Sequence, residues 1–110
     1  MCDYQRLYCG SDGYIVRCIN CGCVQLAFGA MILMLCENEL PILSRMLGIA
    51  LAEFCSCEDE GLKQIIVPTP YAGVNMLLTF KELVCLSKMV QKADSEITAL
   101  QLIGLFNNVK

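Results

Sequence analysis

Two cysteines at the spacing of a metal-binding knuckle carry the clearest chemical signal in the sequence. Cys18 and Cys21 are separated by two residues, and Gly22 follows them. At this spacing both thiolates can point at one ion, and a glycine after the second cysteine permits the tight turn beneath the metal. A structural zinc ion takes four ligands, so the pair predicts a zinc knuckle that needs two further donors.

Other cysteines are candidates for those two donors, since the chain has nine cysteines and no histidine. The first option is Cys2 with Cys9, which gives the spacing Cys-x6-Cys-x8-Cys-x2-Cys and places an N-terminal strand beside the knuckle. The second option is Cys55 with Cys57, in an acidic segment predicted to be a loop over residues 55–63. We prefer Cys2 and Cys9 because they are close in sequence to the pair.

Two other interpretations of Cys18 and Cys21 stay open. In thioredoxin-like proteins a Cys-x-x-Cys pair at a helix N-terminus has a lowered thiol pKa and exchanges disulfides. Here the pair falls in a predicted hairpin, and only Arg17 is close enough in sequence to favour a thiolate. The redox pair is therefore the alternative to zinc, and a structural domain without metal is the third hypothesis.

Composition excludes several classes of function. The chain has 8 Lys and Arg against 11 Asp and Glu, a net charge of −3, which argues against nucleic-acid binding. Without histidine, Ser–His and Cys–His catalytic arrangements cannot form, and we expect no enzymatic activity and identify no small-molecule substrate. The longest apolar tract, residues 40–54, contains Arg45 and Glu53 and is too short to span a bilayer, so no membrane partner is expected.

The compartment is predicted from the N-terminus and the thiols. Residues 1–10 include Asp3 and Arg6 and no apolar run, so we expect no secretory signal peptide. The cysteine count is odd, which opposes a framework made only of intramolecular disulfides. We therefore expect a cytoplasmic protein with reduced thiols, in which Cys36 and Cys85 behave as small core hydrophobes.

An internal repeat indicates the fold. The segment that starts Glu39-Leu40 and the segment that starts Glu82-Leu83 match at an offset of 43 residues, and each copy has strand, turn, strand and helix patterns. We predict an α+β fold: an antiparallel sheet of about five strands with two helices on one face. It is built as two ββα-like halves, residues 13–54 and 64–106, within a single domain over 1–110.

The individual elements follow from local patterns. Strands are predicted over residues 13–18, 24–28, 31–35, 65–67 and 74–78. The first helix begins near Asn38, a good N-cap, ends near Phe54 and should be buried on nearly all its faces. Thr79 and Glu82 have the spacing of a capping box, which predicts the start of a second helix over about residues 80–106.

The second helix carries an apolar stripe at 3-4-3-4-3 spacing, formed by Leu83, Leu86, Val90, Ala93, Ile97 and Leu100. The favoured interpretation is that this stripe covers the sheet. The alternative is that its distal half packs against a second copy of the chain, because Ile103, Leu105 and Phe106 add apolar surface beyond what the sheet needs. This alternative predicts a homodimer or a complex with a protein partner.

Several short motifs are similar to those of one family. The motifs are Gly13-Tyr14-x-x-Arg17-Cys18-x-x-Cys21, Gln25-x-x-Phe28-Gly29, Pro68-Thr69-Pro70 and Leu77-Leu78-Thr79-x-x-Glu82-Leu83. With these motifs the chain resembles a family of short uncharacterised bacterial proteins, a domain of unknown function. The resemblance implies no activity. It does imply that the Cys-x-x-Cys pair recurs as a unit, preceded by an N-terminal cysteine that corresponds to Cys2.

Overall fold

The structure, a computed structural model, describes residues 3–54 and 61–108, and of residues 105–108 only the backbone. The elements in chain order are β1 (Tyr4–Gly10), β2 (Gly13–Cys18), β3 (Cys23–Phe28), β4 (Met31–Cys36), α1 (Glu39–Phe54), β5 (Ile65–Pro68), β6 (Asn75–Leu78) and α2 (Phe80–Asn108). The predicted α+β class with two helices is confirmed, and both helices begin within a residue of their predicted starts.

The strands form two sheets, so the prediction of one sheet of about five strands is wrong. Strands β1 to β4 make a four-stranded antiparallel sheet in sequential order, and β5 pairs only with β6. Side chains occupy the outer edge of β4: the Cys36 N–H donates to Glu39 Oε1 at 2.8 Å, and the Tyr71 hydroxyl donates to the Met34 carbonyl. Because these backbone groups are already satisfied, the β5–β6 hairpin does not extend the larger sheet.

Strand β1 is expected from the sequence only through the Cys2–Cys9 ligand option and not from a strand pattern of its own, and its irregular pairing explains why. The pairing with β2 changes register between Arg6 and Tyr8, which leaves Leu7 as the extra residue of a β-bulge. Leu7 is buried while its neighbours are not. The bulge interrupts the alternation of apolar and polar residues by which a strand is recognised in sequence.

The core lies between one face of the four-stranded sheet, the small sheet and the two helices. Buried and exposed residues alternate along β4, where Leu33 and Leu35 are buried while Ile32 and Met34 are exposed. The predicted stripe of α2 faces this core: it is fully buried from Leu83 to Ile97 and partly buried at Leu100. The stripe therefore covers the protein's own core, as the favoured interpretation expected.

Each helix has apolar side chains that are exposed to solvent. The first helix is not buried on nearly all its faces as predicted, because Ile42 and Ile49 are about half exposed opposite its buried stripe. At the far end of α2, Leu102 and Ile103 are also more than half exposed. The homodimer or protein partner stays a prediction, and this end of α2 is the surface that it would use. Within the described part of the chain, neither helix combines the length and apolarity needed to cross a lipid bilayer.

At the start of each helix a glutamate accepts a backbone N–H from three residues earlier. The Glu82 N–H donates to Thr79 Oγ1 at 3.0 Å and the Thr79 N–H donates to Glu82 Oε1 at 2.9 Å, which confirms the predicted capping box. Glu39, which matches Glu82 in the repeat, accepts from the N–H three residues before it, that of Cys36. Glu82 is therefore part of a helix cap, whereas Glu39, the first residue of α1, binds the end of β4.

The cap of α2 predicts that the stability of the fold depends on pH. The ion pair of Glu82 with Lys63, followed by the hydrogen bond from the Thr79 N–H, lowers the pKa of the Glu82 carboxyl. A folded-state pKa below the unfolded value stabilises the fold above the unfolded pKa, and this contribution is lost as the pH falls through the folded pKa. At pH 7 the Glu82→Gln variant should lose about 0.5–1 kcal/mol of unfolding free energy, the scale of a helix cap. In urea titrations, its deficit relative to the wild type should shrink between about pH 5 and pH 3.

Glu96, exposed on α2, provides the control. The Glu96→Gln variant should stay within about 0.5 kcal/mol of the wild type at every pH. A deficit of the Glu82 variant that stays constant down to pH 3 would contradict the role of the ionised carboxylate.

Candidate thiol site at the β2–β3 turn

The turn between β2 and β3 has the tight geometry that the knuckle motif predicts. The Gly22 N–H donates to the Cys18 carbonyl at 2.9 Å, which closes the chain over the intervening residues. Gly22 has a φ of 76°, a left-handed conformation that residues with a Cβ rarely adopt. The predicted role of this glycine in the turn is confirmed.

Three cysteines lie on the same face of the sheet beside this turn. Cys23 in β3 is directly opposite Cys36 in β4. On the other side of β3, Arg17 is opposite Val24, so the same register continued by one residue places Cys18 beside Cys23. Directly opposed residues in a sheet share a face. This face is the one turned away from the core, because the buried residues of β3 and β4 are the alternate ones.

The four cysteines around the turn differ in their exposure. Cys18 is 1% exposed, Cys23 is half-buried, and Cys21 and Cys36 are exposed. Cys21 lies within the turn, where its thiol is in hydrogen-bond contact with that of Cys23. Cys23 is therefore the centre of the cluster, with Cys21 on one side and Cys36 on the other.

The electrostatic surroundings keep the Cys23 and Cys36 thiols protonated. The hydrogen bond and the charge of Cys21 raise the pKa of the Cys23 thiol, and burial, Cys36 and Cys18 act in the same direction. The pKa of the Cys36 thiol is also raised, chiefly by its hydrogen bond to the Glu39 carboxylate. A redox-active cysteine of the thioredoxin type needs the opposite, a lowered pKa. Neither Cys23 nor Cys36 is therefore an activated thiolate at neutral pH.

The Arg17 guanidinium is engaged by Glu37 and Gln5. The partner of Arg17 across the sheet is the buried Val24, so Arg17 lies on the opposite face from Cys18. The guanidinium donates to Glu37 at 3.0 Å and to Gln5 at 2.9 Å. Arg17 thereby ties β2 to β1 and to the segment that follows β4.

Of the additional zinc ligands predicted from the sequence, the structure describes Cys9. Cys9 is opposite Tyr14, whereas Cys18 is opposite Tyr4 at the other end of β1. Tyr14 and Cys18 are four positions apart along β2, about 14 Å at ~3.4 Å per residue. Zinc–sulfur bonds are about 2.3 Å long, so the structure does not bring Cys9 to Cys18 and Cys21. Cys2, Cys55 and Cys57 lie outside the described residues.

Two cysteines expected in the core behave differently. Cys36 is exposed, so its interpretation as a core hydrophobe is wrong. Cys85 is only half-buried, and its thiol donates to Asp12 Oδ2 at 2.9 Å. Burial, then the Asp12 carboxylate, raise the pKa of Cys85 to about 11, which makes it an unreactive thiol. The buried cysteine of the described chain is Cys18.

Sequence reasoning did not single out Cys23 and Cys36 as a pair. The signal that could have found them is alternation, since both occupy the outward positions of neighbouring strands. It was obscured because β4 is apolar at outward as well as inward positions, so that its period of two is invisible in the sequence.

The described residues alone do not form a metal centre. Within residues 3–54 and 61–108, no group of three or more His, Cys, Asp or Glu side chains is arranged to hold a metal ion. Cys18, Cys21 and Cys23 are therefore not arranged around one point in the structure, and a site that adds Cys2 requires their side chains to converge on the ion.

The fold and the site together define a small α+β protein with a cluster of thiols on the outer face of an antiparallel sheet. Comparison with protein-family models, curated proteins and solved structures finds no match for this chain. The resemblance to a bacterial family, based on short motifs, therefore stays a prediction.

Proposed function

We propose that this chain is a small non-enzymatic protein whose β2–β3 turn holds a structural zinc ion. The ligands are the thiolates of Cys18 and Cys21, joined by Cys2 from the N-terminus and by Cys23. The cysteine pair and its glycine-dependent turn provide the knuckle, in which Gly22 N–H and the Cys18 carbonyl are 2.9 Å apart. The zinc ion would supply fixed tetrahedral geometry and no reaction.

The observation that carries this proposal is a hydrogen bond between the turn and Asp3. The Ile19 N–H, between the two knuckle cysteines, donates to the Asp3 carbonyl at 2.8 Å. The residue before Asp3 is Cys2. A third thiol is thus attached by one peptide bond to a residue that the turn itself holds. Cys9, the other ligand predicted from the sequence, is replaced in the proposal by Cys23, because Cys23 contacts Cys21 and Cys9 lies at the other end of β1.

The redox pair Cys18–Cys21 has less support. Cys18 is 1% exposed, which hinders attack on it by an external disulfide, and Arg17 faces the other side of the sheet. If the chain binds no zinc, the third hypothesis, a structural domain without metal, remains.

Elemental analysis tests the zinc site. Protein purified under reducing conditions and without chelators should contain about one zinc per chain, as structural sites do. The Cys2→Ser and Cys21→Ser variants should lose most of this zinc, because each removes one of four thiolates. The matched control is Cys9→Ser, which changes an exposed cysteine of β1 and should retain zinc at the wild-type level.

Folding must be monitored in parallel. Circular dichroism and gel filtration should show that the exposed Cys21→Ser variant keeps the wild-type fold when zinc is supplied or withheld. The zinc proposal is overturned if reduced wild-type protein takes up no Zn²⁺, or if the Cys2→Ser variant binds it as tightly as the wild type does.

A further inference from the structure

We propose that Cys23 and Cys36 are a thiol pair that forms a reversible disulfide across β3 and β4, on the outer face of the sheet. The proposal concerns a different pair from Cys18 and Cys21. Its disulfide chemistry stands without zinc, and only its effect on metal binding rests on the proposed function.

The backbone places the two residues at a separation that a disulfide accepts. They are register partners in an antiparallel ladder. The Cys36 N–H donates to the Glu39 carboxylate, so it is not used in the ladder with β3, which makes Cys23–Cys36 a non-hydrogen-bonded pair. The Cα atoms of such pairs are about 4.5 Å apart, and disulfides accept Cα separations of about 4.4–6.8 Å.

The exposure of the two side chains also allows thiol–disulfide exchange. Both lie on the face turned away from the core, Cys36 is exposed and Cys23 is half-buried. A reagent in solution can therefore reach Cys36, and Cys23 can reach Cys36. Cys18 is excluded from pairing with Cys36, because it lies two strands away, roughly 10 Å, and is buried.

The oxidant that we propose is a low-molecular-weight disulfide of the glutathione type. The Cys36 thiolate attacks one sulfur of glutathione disulfide, forms a mixed disulfide and releases one glutathione thiolate. The Cys23 thiolate then attacks the Cys36 sulfur, forms the protein disulfide and releases the second glutathione. Two protein thiols are oxidised, one glutathione disulfide is reduced to two glutathione thiols, and the two protons pass to the released thiolates.

The same geometry connects this pair to the turn. Cys23 contacts Cys21 as well as facing Cys36, so its sulfur has two alternative partners. A sulfur in a disulfide carries no thiolate charge and binds zinc poorly. Oxidation of the pair would withdraw Cys23 from the metal, and bound zinc would slow the oxidation.

Disulfide mapping tests the proposal. Chelator-treated, reduced wild-type protein is incubated with glutathione disulfide, alkylated and analysed by peptide mass spectrometry. The expected product links Cys23 to Cys36, with a loss of two titratable thiols per chain. The Cys9→Ser control should give the same link. The Cys36→Ser variant should give no such link, and should carry glutathione on a remaining thiol or stay reduced.

The identity of the main product decides the outcome. A Cys21–Cys23 or Cys18–Cys21 link as the main product, or glutathione mixed disulfides alone, would overturn the proposal. Failure of the chain to bind zinc would overturn the proposed function and would leave the mapped disulfide unaffected.

Discussion

Replacement of Leu86 by alanine is expected to lower the free energy of unfolding by about 2–5 kcal/mol. Leu86 is completely buried on the stripe of α2 that covers the core. Its truncation removes apolar contact and leaves a cavity that the surrounding side chains, fixed on two sheets and on α1, fill only in part. A loss of this size is a large fraction of the stability of a domain of this length. Urea titration followed by circular dichroism measures it.

The control for Leu86 lies on the same helix. Leu102 is 52% exposed near the end of α2, and alanine is at least as good a helix former as leucine. The Leu102→Ala variant should therefore stay within about 0.5 kcal/mol of the wild type. Equal losses in the two variants would mean that α2 does not use this stripe to cover the core.

Replacement of Gly13 by alanine is expected to cost about 3 kcal/mol, the upper part of the range for overpacking. Gly13 begins β2 and is paired with Gly10 on one side and Phe28 on the other. A Cβ at this position would lie 1.9 Å from the Ala27 carbonyl oxygen. Because the obstacle is backbone, β2 and β3 must separate locally at this end of their ladder.

Gly48 in the middle of α1 provides the contrasting glycine. A Cβ there would meet nothing within 4 Å, and its backbone φ is not in the left-handed region. The Gly48→Ala variant should gain about 0.5–1 kcal/mol, because alanine loses less conformational freedom in a helix. Chemical denaturation of the two variants should thus give changes of opposite sign. Similar losses in both would contradict the close approach of β2 and β3 at Gly13.

The helices could be predicted because their signals are local. Thr79 and Glu82 lie three residues apart and satisfy each other's backbone groups, so the start of α2 is specified within one turn. The burial stripe of α2 repeats at helical spacing and needs no knowledge of what it packs against. The degree of burial of α1 was overestimated because apolar composition does not specify which side of a helix meets the core, and Ile42 and Ile49 remain exposed.

The arrangement of the strands depends on contacts that are distant in sequence. The separation of the β5–β6 hairpin from the larger sheet involves Tyr71, which reaches the Met34 carbonyl 37 residues earlier in the chain. The bulge at Leu7 is a matter of pairing with β2 and has no local composition that marks it. Strand count and sheet membership therefore could not be predicted from periodicity alone.

The candidate site was predicted only where its residues are adjacent in sequence. The turn of Cys18, Cys21 and Gly22 has the expected geometry. Whether Cys23 and Cys36 are neighbours depends on the register of β3 against β4. Which residues lie beside Cys9 depends on the register of β1 against β2. A shift by one residue would move each side chain to the other face, so spacing along the chain does not determine which thiols meet.

The two edge strands of the four-stranded sheet affect how copies of this chain can associate. Strand β1 is irregular at the Leu7 bulge, and on β4 the Glu39 and Tyr71 side chains already bond to backbone groups. Both devices hinder a strand of a neighbouring molecule from docking edge to edge, which is the route to fibrillar aggregates. Growth of ordered polymers through this sheet is therefore disfavoured, even though the chain is 56% apolar.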